Sequence, residues 1–181
     1  MLLELGVLAV MASAQLPRPS LPDPIKYVNR KEIVMRAARA VLEQMGYRIE
    51  LEDPKGGRLV TRPYEFITGA LSSTEIDKYA VKSDSMTGSW LKANYSVETL
   101  FEVVSPTETM VTVRTQFQAL NRDADGTEKW VPLQSLGAVE KRVLGKLSVK
   151  LDGTEPQFKD NKSFWEKKPT PVPPIKKRPT D

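Results

Sequence analysis

A chain of 181 residues, 40% of them hydrophobic, has room for one domain with a real core plus tails, and two full domains would be cramped. It holds no Cys and no His, which excludes disulfide frameworks, thiolate metal sites, Ser-His-Asp and Cys-His catalysis and the commonest metal ligand. The net charge of +4 falls in residues 162–181, with six Lys/Arg and two Asp/Glu; the rest is neutral, a poor nucleic-acid binder because non-specific affinity comes from neutralising phosphates.

Residues 1–14, MLLELGVLAVMASA, read as an export signal. Leu5 to Met11 is an apolar run, and Ala12-Ser13-Ala14 has the small-x-small pattern of a cleavage site. The run is too short to span a bilayer, and without Cys there is no lipid-attachment site. Glu4 and the missing basic n-region leave a second reading open, a short apolar helix docked on the domain. The expected placement is exported, periplasmic or secreted, with no transmembrane span. Residues 15–28 hold Pro17, Pro19, Pro22 and Pro24; each fixes its own φ and lacks an N–H, so the stretch reads as an extended linker.

Residues 29–150 read as one α+β domain. Asn29 is placed to cap a helix from Arg30 to Met45, with Ile33, Val34, Ala37, Ala38, Val41, Leu42 and Met45 on one face and Gly46 as its left-handed stop. Tyr47, Ile49 and Leu51 then alternate with Arg48, Glu50 and Glu52; residues 53–57 form a turn, and Arg58 to Tyr64 is the return strand. Ser72-Ser73-Thr74-Glu75 has capping-box spacing. It opens a short helix from Ser73 to Val81 that buries Ile76, Tyr79 and Ala80, and residues 82–89 read as loop.

Two strands have the clearest period of two. Tyr95, Val97, Thr99, Phe101 and Val103 oppose Asn94, Ser96, Glu98 and Glu102; Val111, Val113, Thr115, Phe117 and Ala119 oppose Thr112, Arg114, Gln116 and Gln118. That is the signature of an antiparallel sheet with one buried and one wet face. Past the Asp125-Gly126 turn, Ser135 caps a last helix to Leu147, with Leu136, Val139, Val143, Leu144 and Leu147 as its stripe. The expected fold is a four-stranded antiparallel sheet with two long helices packed on one face, in the order α-β-β-α-β-β-α, helix-grip-like. Residues 151–181, rich in Pro and basic residues, read as a disordered tail.

Few residue groups suggest chemistry. No glycine-rich phosphate loop is present. Ser89-Trp90-Leu91-Lys92 matches the Ser-x-x-Lys of lysine-activated serine enzymes, but it runs into a strand, where residues three apart face opposite sides. Asn121 to Gly126 resembles the opening half of a calcium loop; position twelve is Pro132 instead of the closing Glu, so a polar turn is the plainer reading. Glu50 with Glu52, and Glu98 with Glu102, share strand faces where a solvated carboxylate is the default. Trp90 and Trp130 border the module and are expected to finish its core. No catalytic, cofactor or metal residues are assigned.

The tail holds the candidate partner-binding residues Trp165, Pro171, Pro174, Lys176, Lys177 and Arg178. Trp165 is either an exposed anchor or packed back on the domain. Pro171 to Lys176 fits a polyproline-II ligand, a preformed extended helix that binds at little ordering cost. The basic trio can also touch an anionic membrane surface, and the plain alternative is a solvated tail.

Ala37 to Gly46-Tyr47, Gly57-Arg58-Leu59-Val60-Thr61, Tyr95 to Val103 and Ser135-Leu136-Gly137-Ala138-Val139-Glu140 together resemble small exported bacterial domains of the helix-grip sort, as in the family of BamC, a lipoprotein of the outer-membrane assembly machine. The resemblance spans residues 29–150 at the level of pattern and implies a non-enzymatic envelope protein working through contacts. The expected function is therefore protein–protein contact in envelope or outer-membrane assembly, with no catalysis and no cofactor. The alternative is a carrier holding a small apolar ligand in a helix-grip cavity.

Overall fold

The computed structural model describes residues 21–68, 72–82 and 88–158. In chain order the elements are β1 (Ile25–Tyr27), α1 (Lys31–Gln44), β2 (Ile49–Asp53), β3 (Arg58–Thr61), β4 (Tyr64–Thr68), α2 (Ser72–Ile76), β5 (Ala80–Val81), β6 (Ser89–Ser105), β7 (Glu108–Arg122), β8 (Glu128–Ser135) and α3 (Ala138–Asp152). The expected four-stranded sheet with two long helices is overturned. Eight antiparallel strands form the sheet, in the order β2-β3-β6-β7-β8-β5, and three helices accompany it among the described residues.

The extra strands follow from the length of the central hairpin. The 17 residues of β6 reach roughly 55 Å at the rise of an extended strand. No short neighbour can satisfy the outward N–H and C=O groups of such a strand alone. Each long strand therefore takes two short ones end to end on its outer edge. On β6 these are β3, at Glu98 to Leu100, and β4, at Lys92 to Tyr95. On β7 they are β1, at Thr109 to Val111, and β8, at Phe117 to Arg122. Arg58 to Tyr64 is thus not one strand: Pro63, which has no N–H to donate, separates β3 from β4. β1 lies in the stretch expected to be linker.

Pro132 sits inside β8 opposite Gln118. The outward N–H of Thr115 sets the phase of β7, so Gln118 points its own N–H toward β6 and the nitrogen of Pro132 faces away from β7. On that side β5 pairs only with Gln134 and Ser135, and a proline is tolerated on such an open edge.

One core joins the helices to the sheet. α1 contributes Val34, Met35, Ala37, Ala38, Val41 and Leu42, and α3 contributes Val139, Val143, Leu144 and Leu147. They meet Ala93, Tyr95, Val97 and Phe101 of β6 and Val111, Val113, Phe117 and Ala119 of β7. Several expected positions differ; Leu136, expected on the stripe of the last helix, precedes α3 and is outside the core. Ile33 is 48% exposed and Met35 is buried in its place, because the core stripe of α1 begins at Val34. Leu51 is exposed because the register shifts between Ile49 and Leu51, a bulge that turns its side chain out. Val103 is 60% exposed and Trp130 46%.

The caps also depart from expectation. Arg30, not Asn29, is the N-cap of α1, without a side-chain cap bond; the Asn29 carbonyl instead accepts from the Thr109 hydroxyl at 2.8 Å. Gly46 does end α1, at φ 87°, where a side chain would be strained. α2 stops at Ile76 because Ala80 and Val81 leave the helical path to pair with β8. Ser135 closes β8 and is not the cap of α3; Gly137, at φ 87°, takes that place.

Candidate functional site

Among the described residues, two openings on the sheet gather convergent polar groups. The first is a groove of about 750 Å³ on the outer face of the sheet. Alternation puts Asn94, Ser96 and Glu98 of β6 on that face, opposite Gln118, Gln116 and Arg114 of β7. Gln134 of β8 extends the row, and Leu21 stands at the rim. The floor is thus rich in side-chain amides, which carry donors and acceptors together. Glu98 is ion-paired with Arg58.

This groove opens at an interruption in the sheet. β1 covers β7 up to Val111 and β8 covers it from Phe117. Glu140 of α3 fills part of the gap. Its side chain is fully buried; one carboxylate oxygen accepts from the Thr115 backbone N–H at 3.1 Å, the other from the Ser135 hydroxyl at 2.9 Å. Ser135 Oγ in turn accepts from the Gly137 N–H. A buried carboxylate is tolerated only when hydrogen-bonded, and here it stands in for a missing strand.

The second place is a recess of about 400 Å³ between β4, β6, α2 and α3. Its walls are Tyr47, Tyr64, Phe66, Tyr79 and Tyr95, and Arg142 and Lys146 stand on it from α3. The rings touch in edge and tilted geometry, with centroids 5.5 Å apart for Tyr47–Tyr64, 5.6 Å for Tyr64–Tyr95 and 5.3 Å for Phe66–Tyr79. Such pairs add to plain area burial. The Tyr47 and Tyr95 hydroxyls are hydrogen-bonded at 2.9 Å. Burial, then the bond with Tyr47, pushes the Tyr95 phenol far above its ordinary value; burial likewise raises Tyr47. The positive charge of Arg142 opposes both shifts.

The expected sites fare differently. Trp165, Pro171, Pro174, Lys176, Lys177 and Arg178 lie outside the described residues, as do residues 1–14. Ser89 and Lys92 both lie on β6, opposite Arg122 and Leu120, with no helical turn between them. The calcium-like segment is the β7–β8 hairpin. Asp123 is ion-paired with Lys129, and Asp125 accepts from the Thr127 N–H, which holds its carboxyl below the ordinary value. Glu52 is paired with Arg39. Trp90 packs against the core, whereas Trp130 stays half-exposed on β8. Among the described residues no group of three carboxylates is arranged to hold a metal ion, and no helix is long and apolar enough to cross a membrane.

Four of the five tyrosines meet in the recess, and sequence reasoning missed it because the rings come from four separate segments. The one local signal is the four-residue spacing of Arg142 and Lys146, which reads equally as a solvated helix face. No protein-family model matches the chain, and no curated protein shows significant similarity to it.

Proposed function

We propose that this chain is a non-enzymatic, exported cell-envelope protein that works through protein–protein contact, seating an extended partner segment in the outer-face groove. The observation that carries the reading is that groove, floored by Asn94, Ser96, Gln116 and Gln134 and open beside β7 at the gap between β1 and β8. Side-chain amides match the donors and acceptors of a peptide backbone, so the floor of the groove suits an extended segment laid across it. The carboxylates nearest the groove are engaged: Glu98 by Arg58 and Glu140 by Thr115 and Ser135. The envelope placement rests on the signal-like residues 1–14 and on the resemblance to the BamC family of outer-membrane assembly proteins. The carrier alternative has less support under the middle of α1 and α3, where core side chains fill the space against β6 and β7.

A crosslinking pull-down from envelope extract tests the proposal, comparing the full chain with the double variant Gln116→Lys, Gln134→Lys. Both substitutions lie on the wet face and leave the core untouched. A partner captured by the full chain and lost from the variant is the expected result. Equal capture by both removes the groove from the account.

A further inference from the structure

The aromatic recess is separate from the groove and supports a different activity. A recess of about 400 Å³ walled by five aromatic rings falls at the small end of the range for ligand pockets. Tyr64 is 41% exposed, so a large flat side chain is presented to whatever enters.

The charge around the opening is one-sided. Arg142 and Lys146 lie one turn apart on α3 and are both exposed. The one acid on the recess, Glu75, is ion-paired with Lys78 at 2.5 Å. Neither Arg142 nor Lys146 has an ion-pair partner among the described residues. The site thus offers flat apolar walls, phenolic hydroxyls and two cations at one end.

We propose that this recess binds a small aromatic carboxylate, its ring lying against Tyr64, Phe66 and Tyr79 and its carboxylate held by Arg142 and Lys146. The guanidinium of Arg142 suits a two-point bond to a carboxylate, and Lys146 adds a second charge. The rings supply stacking and edge contacts. The volume limits the ligand to one or two fused rings. A wholly apolar guest would leave the cations unused, and a bare inorganic anion would leave the rings unused.

Isothermal titration of the full chain with 2-naphthoate, its uncharged analogue 2-naphthamide and inorganic phosphate tests this. The expected result is saturable 2-naphthoate binding, at least tenfold tighter than either comparison compound. The double variant Arg142→Gln, Lys146→Gln weakens 2-naphthoate at least tenfold and leaves the amide unchanged. Tyr64→Leu weakens both organic probes. Thermal melts of each variant confirm that the fold is kept, which the exposure of these three side chains favours. No binding of 2-naphthoate at millimolar concentration, equal binding of acid and amide, or phosphate binding as tightly as 2-naphthoate overturns the proposal.

Discussion

The two halves of the β6–β7 hairpin carry the same alternation and meet different fates. In the half from Ala93 to Val97, facing Thr115 to Ala119, the inward side chains are covered by α3 and the aromatic cluster, and Tyr95 and Phe117 are buried. At the tip Val103 continues the same face, yet it and Val104 are exposed, as is Val28 beyond β1. Period two therefore assigns a face to each residue but says nothing about what lies over that face. Cover is a tertiary matter, decided by where α1 and α3 end.

The comparison can be broken most severely in the covered half. Phe117→Ala should cost about 3–5 kcal/mol, the range for deleting a buried ring, read as a lower urea midpoint with an unchanged slope. Glu140→Ala comes next. It strips the acceptor from the Thr115 N–H and the Ser135 hydroxyl and should cost about 2–4 kcal/mol. Glu140→Gln, which keeps an acceptor, should cost clearly less in the same assay; equal losses would show that the carboxylate does not close the sheet gap.

A smaller effect lies at high pH. Burial raises the Tyr27 phenol to about 12, and its hydroxyl is within 2.8 Å of Ser148 Oγ. A raised folded value means stability is fully present below the unfolded value of about 10 and is lost as pH rises toward 12. Urea midpoints should fall between pH 9.5 and 11.5 by about the steepness of proton loss expected, and Tyr27→Phe should flatten part of that fall. The smallest effect belongs to the tip: Val103→Thr should change stability by less than about 0.5 kcal/mol. A larger loss would mean that the tip is covered after all.

The faces of β6, β7, α1 and α3 were legible because each runs long enough for its period to repeat. β1 and β5, with three and two residues, are too short for any period. β8 was hidden by Pro132, whose nitrogen turns to the open edge, and β4 by Pro63, which reads as lying within one strand from Arg58 to Tyr64 and is a break between two. With β1 read as linker, β5 as the end of a helix and β4 and β8 given no strand of their own, four strands were expected where there are eight. The groove was half legible: Asn94, Ser96, Gln116 and Gln118 were placed on the wet face, but the gap that opens it depends on where β1 and β8 stop. The aromatic recess was not legible, since Tyr47, Tyr64, Tyr79 and Tyr95 meet only through the fold.

Site-specific photo-crosslinking in envelope extract tests the central claim most directly, with the photoreactive residue placed at Gln116 in one chain and at Val103 in another. The account predicts a discrete crosslinked partner from Gln116 and none from Val103. A partner crosslinked from Val103 and absent from Gln116 would contradict it and move the contact surface from the groove to the bare tip of the hairpin.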